Sequence, residues 1–216
     1  MPKFDDIPLP AVRRLSLYLR ELEAFANAEC RTVSSRQLGK ALGLSDAQVR
    51  KDLAYFGQFG HSGIGYRVPE LIQRVRRILG TDKTTNALIV GVGNLGQALL
   101  SFRGFQRRGF AVVAAFDSDP AKIGMKGPGP TAPRVHPLSE MPTAVRKHNI
   151  RLGILTVPAS AAQTVADDMV RAGIRAILNF APVTLKAGRG IAVASVDLGV
   201  HLEQLSFLLR AGSRTG

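Results

Sequence analysis

The 216-residue sequence has no tryptophan, one cysteine, three tyrosines, and 16 acidic residues against 29 basic ones. Each shortage excludes something. With Cys30 alone no disulfide can close within the chain, so a disulfide-stapled secreted scaffold is excluded and a reducing, cytoplasmic setting is expected. No apolar run approaches the roughly 18 residues of a membrane span. The opening MPKFDDIPLP carries acids and prolines where a secretory leader has a hydrophobic stretch, so neither export nor membrane insertion is expected. No CxxC, HExxH or paired Cys/His spacing occurs, and no metal is expected.

What remains is an ordinary globular composition, 45% hydrophobic with 22 Gly and 12 Pro, under a formal charge of +13. Such an excess favours an anionic partner, because Lys and Arg release counterions from a phosphate backbone. Charge does not locate the binding face: up to Gly80 there are 13 basic and 8 acidic residues, beyond it 16 and 8.

From Pro10 to about Ala28, Val12, Leu15, Leu19, Leu22 and Phe25 recur every three or four positions, the stripe of an amphipathic helix. Ser34 and Gln37 then have capping-box spacing ahead of a short helix that Gly43 stops, and Ser45 and Gln48 open another with Val49, Leu53 and Phe56 inward. Two short helices across a tight glycine turn make a helix-turn-helix, whose second helix offers Ala47, Gln48, Arg50 and Lys51, with Ser45 at its start, to a DNA major groove. Arg suits guanine, Gln adenine, and Lys guanine or phosphate; the alternative is a solvated charged face. FGQFGHSGIGYRV follows and reads as a glycine-rich β-hairpin, a wing, with His61, Ser62 and Tyr66 as backbone or minor-groove candidates. Pro69 starts a further helix, and a first domain, residues 1–80, is expected to end near Gly80.

The remainder alternates apolar runs with amphipathic stretches. Strand-like segments at Ala87–Val90, Phe110–Phe116, Ile150–Val157, Ile174–Phe180 and Ile191–Val196, with helices at Ala159–Ala172 and Leu198–Leu209, predict a doubly wound parallel sheet over residues 81–197. After the first strand, GVGNLG places Gly91, Gly93 and Gly96 in GxGxxG spacing around Val92, Asn94 and Leu95, ahead of a helix, as a pyrophosphate-binding turn requires. Asp117, 21 positions beyond Gly96 and at the end of the second strand, matches a ribose-binding acid that favours NAD(H) over NADP(H); Asp119 is the reserve candidate. Later strand ends nominate Thr156, Val157 and Pro158, and Asn179, Phe180, Ala181 and Pro182. KIGMKGPGPTAPR, residues 122–134, reads as a surface loop.

A dehydrogenase needs an acid or base beside the nicotinamide and usually a substrate domain. The four histidines share no motif, the tyrosines all precede the cofactor domain, and no residues remain for a further domain, so no catalytic residue is assigned. The expected function is a regulator whose DNA affinity depends on a bound dinucleotide. The alternatives are an NAD-dependent oxidoreductase and a CoA-binding module, the latter with Lys122 and Lys126 on phosphates.

Taken together, RKDLAYFGQFG, GIGYRV, GVGNLGQAL, LTVP and NFAPV resemble the Rex family of redox-sensing transcriptional repressors over nearly the whole length. The resemblance implies a homodimer whose winged-helix domains bind a palindromic operator. NADH releases the DNA, NAD⁺ competes without releasing it, and the controlled genes serve respiration and fermentation. It also implies that a C-terminal helix within residues 198–216, bearing Val200, Leu202, Leu205, Leu208 and Leu209, swaps into the partner, and that Asp197 and Arg20 form a state-dependent ion pair. Arg50 and Lys51 match the family's recognition helix, Tyr66 its wing tyrosine and Asp117 its ribose acid. Two departures fall in functional regions: Ser62 where relatives commonly carry a basic residue, and Phe102 where some have a tyrosine near the nicotinamide.

Overall fold

A computed structural model describes residues 7–60, 65–129 and 131–212. The chain divides into two compact units, Met1–Lys83 and Thr84–Gly216.

The first unit opens with α1 (Leu9–Asn27), which begins after Pro8 with a second proline in its first turn, where a missing N–H costs nothing. Its buried stripe is Ala11, Leu15, Tyr18 and Leu22. Of the expected stripe Leu15 and Leu22 are buried and Leu19 and Phe25 pack partly buried against the same core, while Val12 is only half-covered; Tyr18, outside that stripe, is fully buried because its hydroxyl finds a partner inside. After β1 (Thr32–Val33), Ser34 and Gln37 close a full capping box on α2 (Ser35–Leu42). Gly43 ends that helix at φ +67°, a left-handed conformation that glycine adopts without penalty. α3 (Asp46–Ala54) follows, with the Ser45 hydroxyl accepting the Gln48 N–H at 3.1 Å.

The expected glycine-rich hairpin lies partly outside the described residues. The described residues 57–60 hold no strand, and β2 (Tyr66–Arg67) pairs antiparallel with β1 upstream, in register Val33↔Tyr66. The sheet that would carry a wing is therefore closed across the helix-turn-helix. His61 and Ser62 lie outside the described residues. α4 (Val68–Leu79) ends at Gly80 and packs Leu71 and Val75 against Leu15, Tyr18, Leu38, Val49 and Leu53 in one core.

The second unit runs β3 (Thr85–Val90), α5 (Asn94–Ser101), α6 (Gly104–Arg107), β4 (Phe110–Asp117), β5 (Val135–Pro137), α7 (Met141–Lys147), β6 (Leu152–Leu155), α8 (Ala159–Ala172), β7 (Ala176–Asn179), β8 (Ala192–Ser195) and α9 (Leu198–Gly212). Its six strands are parallel in the order β5-β4-β3-β6-β7-β8. Counted within the unit this is 3-2-1-4-5-6, the doubly wound dinucleotide order, which reverses between β3 and β6. Ala87–Val90 is an unbroken buried run because helices cover both faces. Leu88 and Val90 join the core on one side of the sheet, with Phe116 and Met169, and Ile89 joins the other with Ala115 and Ile154, the two-residue period of a strand.

β5 has no counterpart among the strand-like segments expected from the sequence. Residues 122–134 form the expected surface loop, and its described residues fold back through a Lys126–Arg134 bridge and reciprocal bonds of Gly124 and Met125 with Val135. Along α9, Leu198, Leu202, Leu205, Phe207, Leu208 and Leu209 are exposed. Among the described residues no helix is long and apolar enough to cross a membrane, and no cluster of His, Cys, Asp or Glu could hold a metal.

Candidate functional site

The carboxyl ends of β3, β4, β6 and β7 surround a cavity of about 510 Å³, at the strand-order reversal where open α/β sheets bind ligands. Of the residues nominated from sequence, Gly91, Gly93, Leu95, Asp117, Thr156, Val157, Pro158 and Phe180 line it, as do the reserve acid Asp119 and Lys122. Sequence reasoning did not nominate Leu138, Ala161 or Val165, because apolar residues arriving from a turn after β5 and from one face of α8 carry no local signal of a ligand.

The glycine turn is built by close approach. Gly91 sits at φ +96°, and a Cβ there would lie 2.6 Å from the Thr156 carbonyl oxygen. A Cβ on Gly96 would collide with the Gly91 carbonyl. The Thr156 hydroxyl completes the clasp, donating to the Gly91 carbonyl at 2.6 Å and to that of Val90 at 3.1 Å. Gly93 differs: a Cβ there would meet nothing within 4 Å, although the residue lines the cavity and caps α5 with no side-chain bond of its own. The protein leaves this room unfilled beside a helix N-terminus, which fits a phosphate-bearing ligand.

Asp117 is buried and closes the opposite side. Its Oδ2 accepts the Val92 N–H at 2.7 Å and Lys122 Nζ at 3.1 Å, and its Oδ1 accepts the Asp119 N–H at 2.9 Å. Burial pushes its carboxyl up, but the two N–H donors and the Lys122 ammonium outweigh burial and hold it below the usual carboxylate range. Val92 is thus an anchor for Asp117, and Asn94 opens α5.

Asn179, nominated from the same strand end as Phe180, does not line this cavity. The buried Asn179 amide accepts the Ala181 N–H at 2.9 Å and donates to the Val183 carbonyl at 2.9 Å, so it ties the chain after β7 into a turn. Ala181 is buried and Pro182 faces solvent, and neither lines this cavity.

In the first unit α3 exposes Ala47, Arg50 and Lys51. Arg50 donates to Asp46 at 2.7 Å and to Ser35 at 3.1 Å, bracing α3 against α2. Gln48 does not close the expected capping box with Ser45, since its amide donates to Asp52 at 2.7 Å instead. Asp52, fully buried, is a hub that sequence reading missed: it also takes Arg14 at 2.5 and 2.8 Å and the Tyr18 hydroxyl at 2.7 Å. Burial drives its carboxyl up, but the donors prevail and hold it low, while burial and the bond to Asp52 raise the Tyr18 phenol. α1 thereby fixes α3 through a charged clasp. Tyr66 is half buried, its ring packed over Gly60. Arg20 bonds Glu21 at 3.1 Å, and Asp197 accepts the N–H groups of Gly199 and Val200 at the start of α9.

Residues 6–54 match a family described as putative DNA-binding protein N-terminus, and residues 82–183 one described as CoA binding domain. The redox-sensing transcriptional repressor Rex of Carboxydothermus hydrogenoformans is 47% identical over 204 residues, covering 94% of this chain and 97% of that protein. The chain belongs to the Rex family. The Rex of Syntrophobacter fumaroxidans is 41% identical over 98% of this chain and its own full length. Among solved structures the Rex-family repressor RSP, bound to β-NAD⁺ and operator DNA, superposes with a TM-score of 0.90 at 36% identity, covering 97% of this chain and 95% of that one. RSP bound to β-NADH superposes with a TM-score of 0.86 at 35% identity, covering 97% of each chain.

Proposed function

We propose that this chain is a transcriptional repressor that binds a palindromic operator as a homodimer, senses the NADH/NAD⁺ ratio in the cytoplasm, and leaves DNA when NADH binds. The observation that carries the reading is the cavity at the strand-order reversal, with an open glycine at a helix N-terminus on one side and a buried ribose-type acid on the other, in a chain whose first unit is a helix-turn-helix.

In this reading the backbone of Gly91 and Gly93 and the first turn of α5 face the pyrophosphate, and Asp117 takes ribose hydroxyls. The nicotinamide, when bound, supplies the two redox states that the protein distinguishes. The titratable groups lining the cavity, Asp117, Asp119 and Lys122, are paired with one another, an arrangement suited to binding rather than proton transfer, so no catalysis is assigned. On the DNA side Lys51 and Arg50 face the operator, the Ser45 cap and the Asp52 clasp set the pose of α3, and Tyr66 is a further candidate contact to the backbone or minor groove. The exposed leucines of α9 supply the dimer contact, and Arg20 and Asp197 pair in one state only. Release follows if NADH prefers the arrangement that does not fit DNA; a hundredfold loss of operator affinity takes about 2.7 kcal/mol of coupling.

The test is binding to a labelled palindromic operator at fixed salt, with NADH titrated with and without excess NAD⁺. Release by NADH, blunted by NAD⁺, is the expected result. Indifference to both nucleotides overturns the reading.

A further inference from the structure

Asp117 already carries three donors. The Val92 and Asp119 N–H groups are fixed by the backbone, whereas the third, Lys122 Nζ, ends a flexible stem whose side chain is 31% exposed. The Lys122 ammonium also lies 3.7 Å from Asp119 Oδ2 and lines the same cavity. Oδ2 has two lone pairs in its plane and both are engaged, by Val92 and by Lys122. A ribose hydroxyl donating to this oxygen must therefore displace a donor, and only Lys122 can yield without breaking the glycine turn.

A displaced ammonium does not leave the corner of the cavity formed by Asp117 and Asp119. This is the side on which the acid of a dinucleotide fold meets the ribose hydroxyls, and on which a basic residue, where present, accommodates a 2′-phosphate. We propose that Lys122 is a specificity-determining residue of the nucleotide site: a cation able to pair a 2′-phosphate, held in check by Asp117 and Asp119. This rests on the dinucleotide reading above and deepens it. The carboxylate then rejects a phosphorylated ribose in two ways, by repulsion and by occupying the Lys122 cation that would otherwise compensate. Neutralising Asp117 removes the repulsion and leaves only the longer Asp119 contact on Lys122, and the gain for NADPH depends on Lys122.

The experiment titrates NADH and NADPH, followed by nicotinamide fluorescence, against the full chain and its Asp117→Asn, Lys122→Ala and doubly substituted variants. The wild type prefers NADH. Asp117→Asn raises NADPH affinity by about tenfold or more, the worth of one charge-assisted hydrogen bond, and Lys122→Ala in that background removes the gain. Lys122→Ala alone lowers the NADPH-to-NADH affinity ratio by about threefold, as loss of one partly exposed ion pair predicts. A gain that survives in the double variant overturns the proposal, as does a folded Asp117→Asn protein without any gain. Should Asp117→Asn not fold, the single Lys122→Ala ratio decides: unchanged or raised, it overturns the proposal. A wild type that binds no NADH removes the dinucleotide reading and this inference together, whereas intact NADH binding with a gain indifferent to Lys122 removes only the inference.

Discussion

Asp52→Ala strips Arg14, Tyr18 and Gln48 of their shared acceptor at once. The Tyr18 hydroxyl, on a side chain with no solvent exposure, is left without a partner, which costs about 1–3 kcal/mol. The Arg14 side chain is 27% exposed and can recruit water, so its loss falls below the roughly 3–5 kcal/mol of a fully buried broken pair. A total near 3 kcal/mol is expected, a large share of the roughly 4–12 kcal/mol that stabilises a unit of this size. All three tyrosines, Tyr18, Tyr55 and Tyr66, lie in the first unit and the chain has no tryptophan. Tyrosine fluorescence during urea unfolding therefore reports on that unit. The sign with pH follows from the depressed carboxyl: its contribution is complete above the ordinary aspartate range and is lost as pH falls through the lowered folded value. Asp52→Ala should therefore flatten the acid limb of the stability profile as well as lower it. A shift below about 1 kcal/mol with the acid limb unchanged would refute the clasp.

Three further outcomes follow from other elements. Gly91→Ala places a Cβ against the Thr156 carbonyl in a left-handed conformation, so it should cost about 1–3 kcal/mol and abolish NADH binding, read by thermal unfolding and nicotinamide fluorescence. Lys51→Ala should weaken operator binding by about 1–3 kcal/mol in a gel-shift titration at fixed salt; an unchanged affinity would reject α3 as the reading helix. Leu205→Asp on the exposed apolar face of α9 should shift the protein toward monomer in sedimentation equilibrium, and an intact dimer would place the interface elsewhere.

Much of this was legible from local patterns. The Ser34 capping box, the Gly43 stop, the GxGxxG turn and the acid at Asp117 each depend on neighbours a few residues away or on a strand followed by a helix, so spacing alone reports them. The errors share a cause. The α1 stripe was misread at Tyr18, and Gln48 was given to a capping box, because both answer to Asp52, which is 34 residues from one of them. Asn179 was read as a ligand residue since a polar side chain at a strand end looks the same whether it faces a crevice or ties a turn. β2 also finds a partner in β1, far upstream, which no local pattern signals.

The sequence by itself determined the two-unit plan, the helix-turn-helix and the glycine turn between β3 and α5, because hydrophobic period, caps and glycine positions act over one or two turns of chain. Only the tertiary structure decided which residues meet: Asp52 with Arg14 and Tyr18, Thr156 with Gly91, Lys122 with Asp117 and Asp119. A buried charge is tolerated only where donors converge on it, and that convergence is a property of the folded backbone.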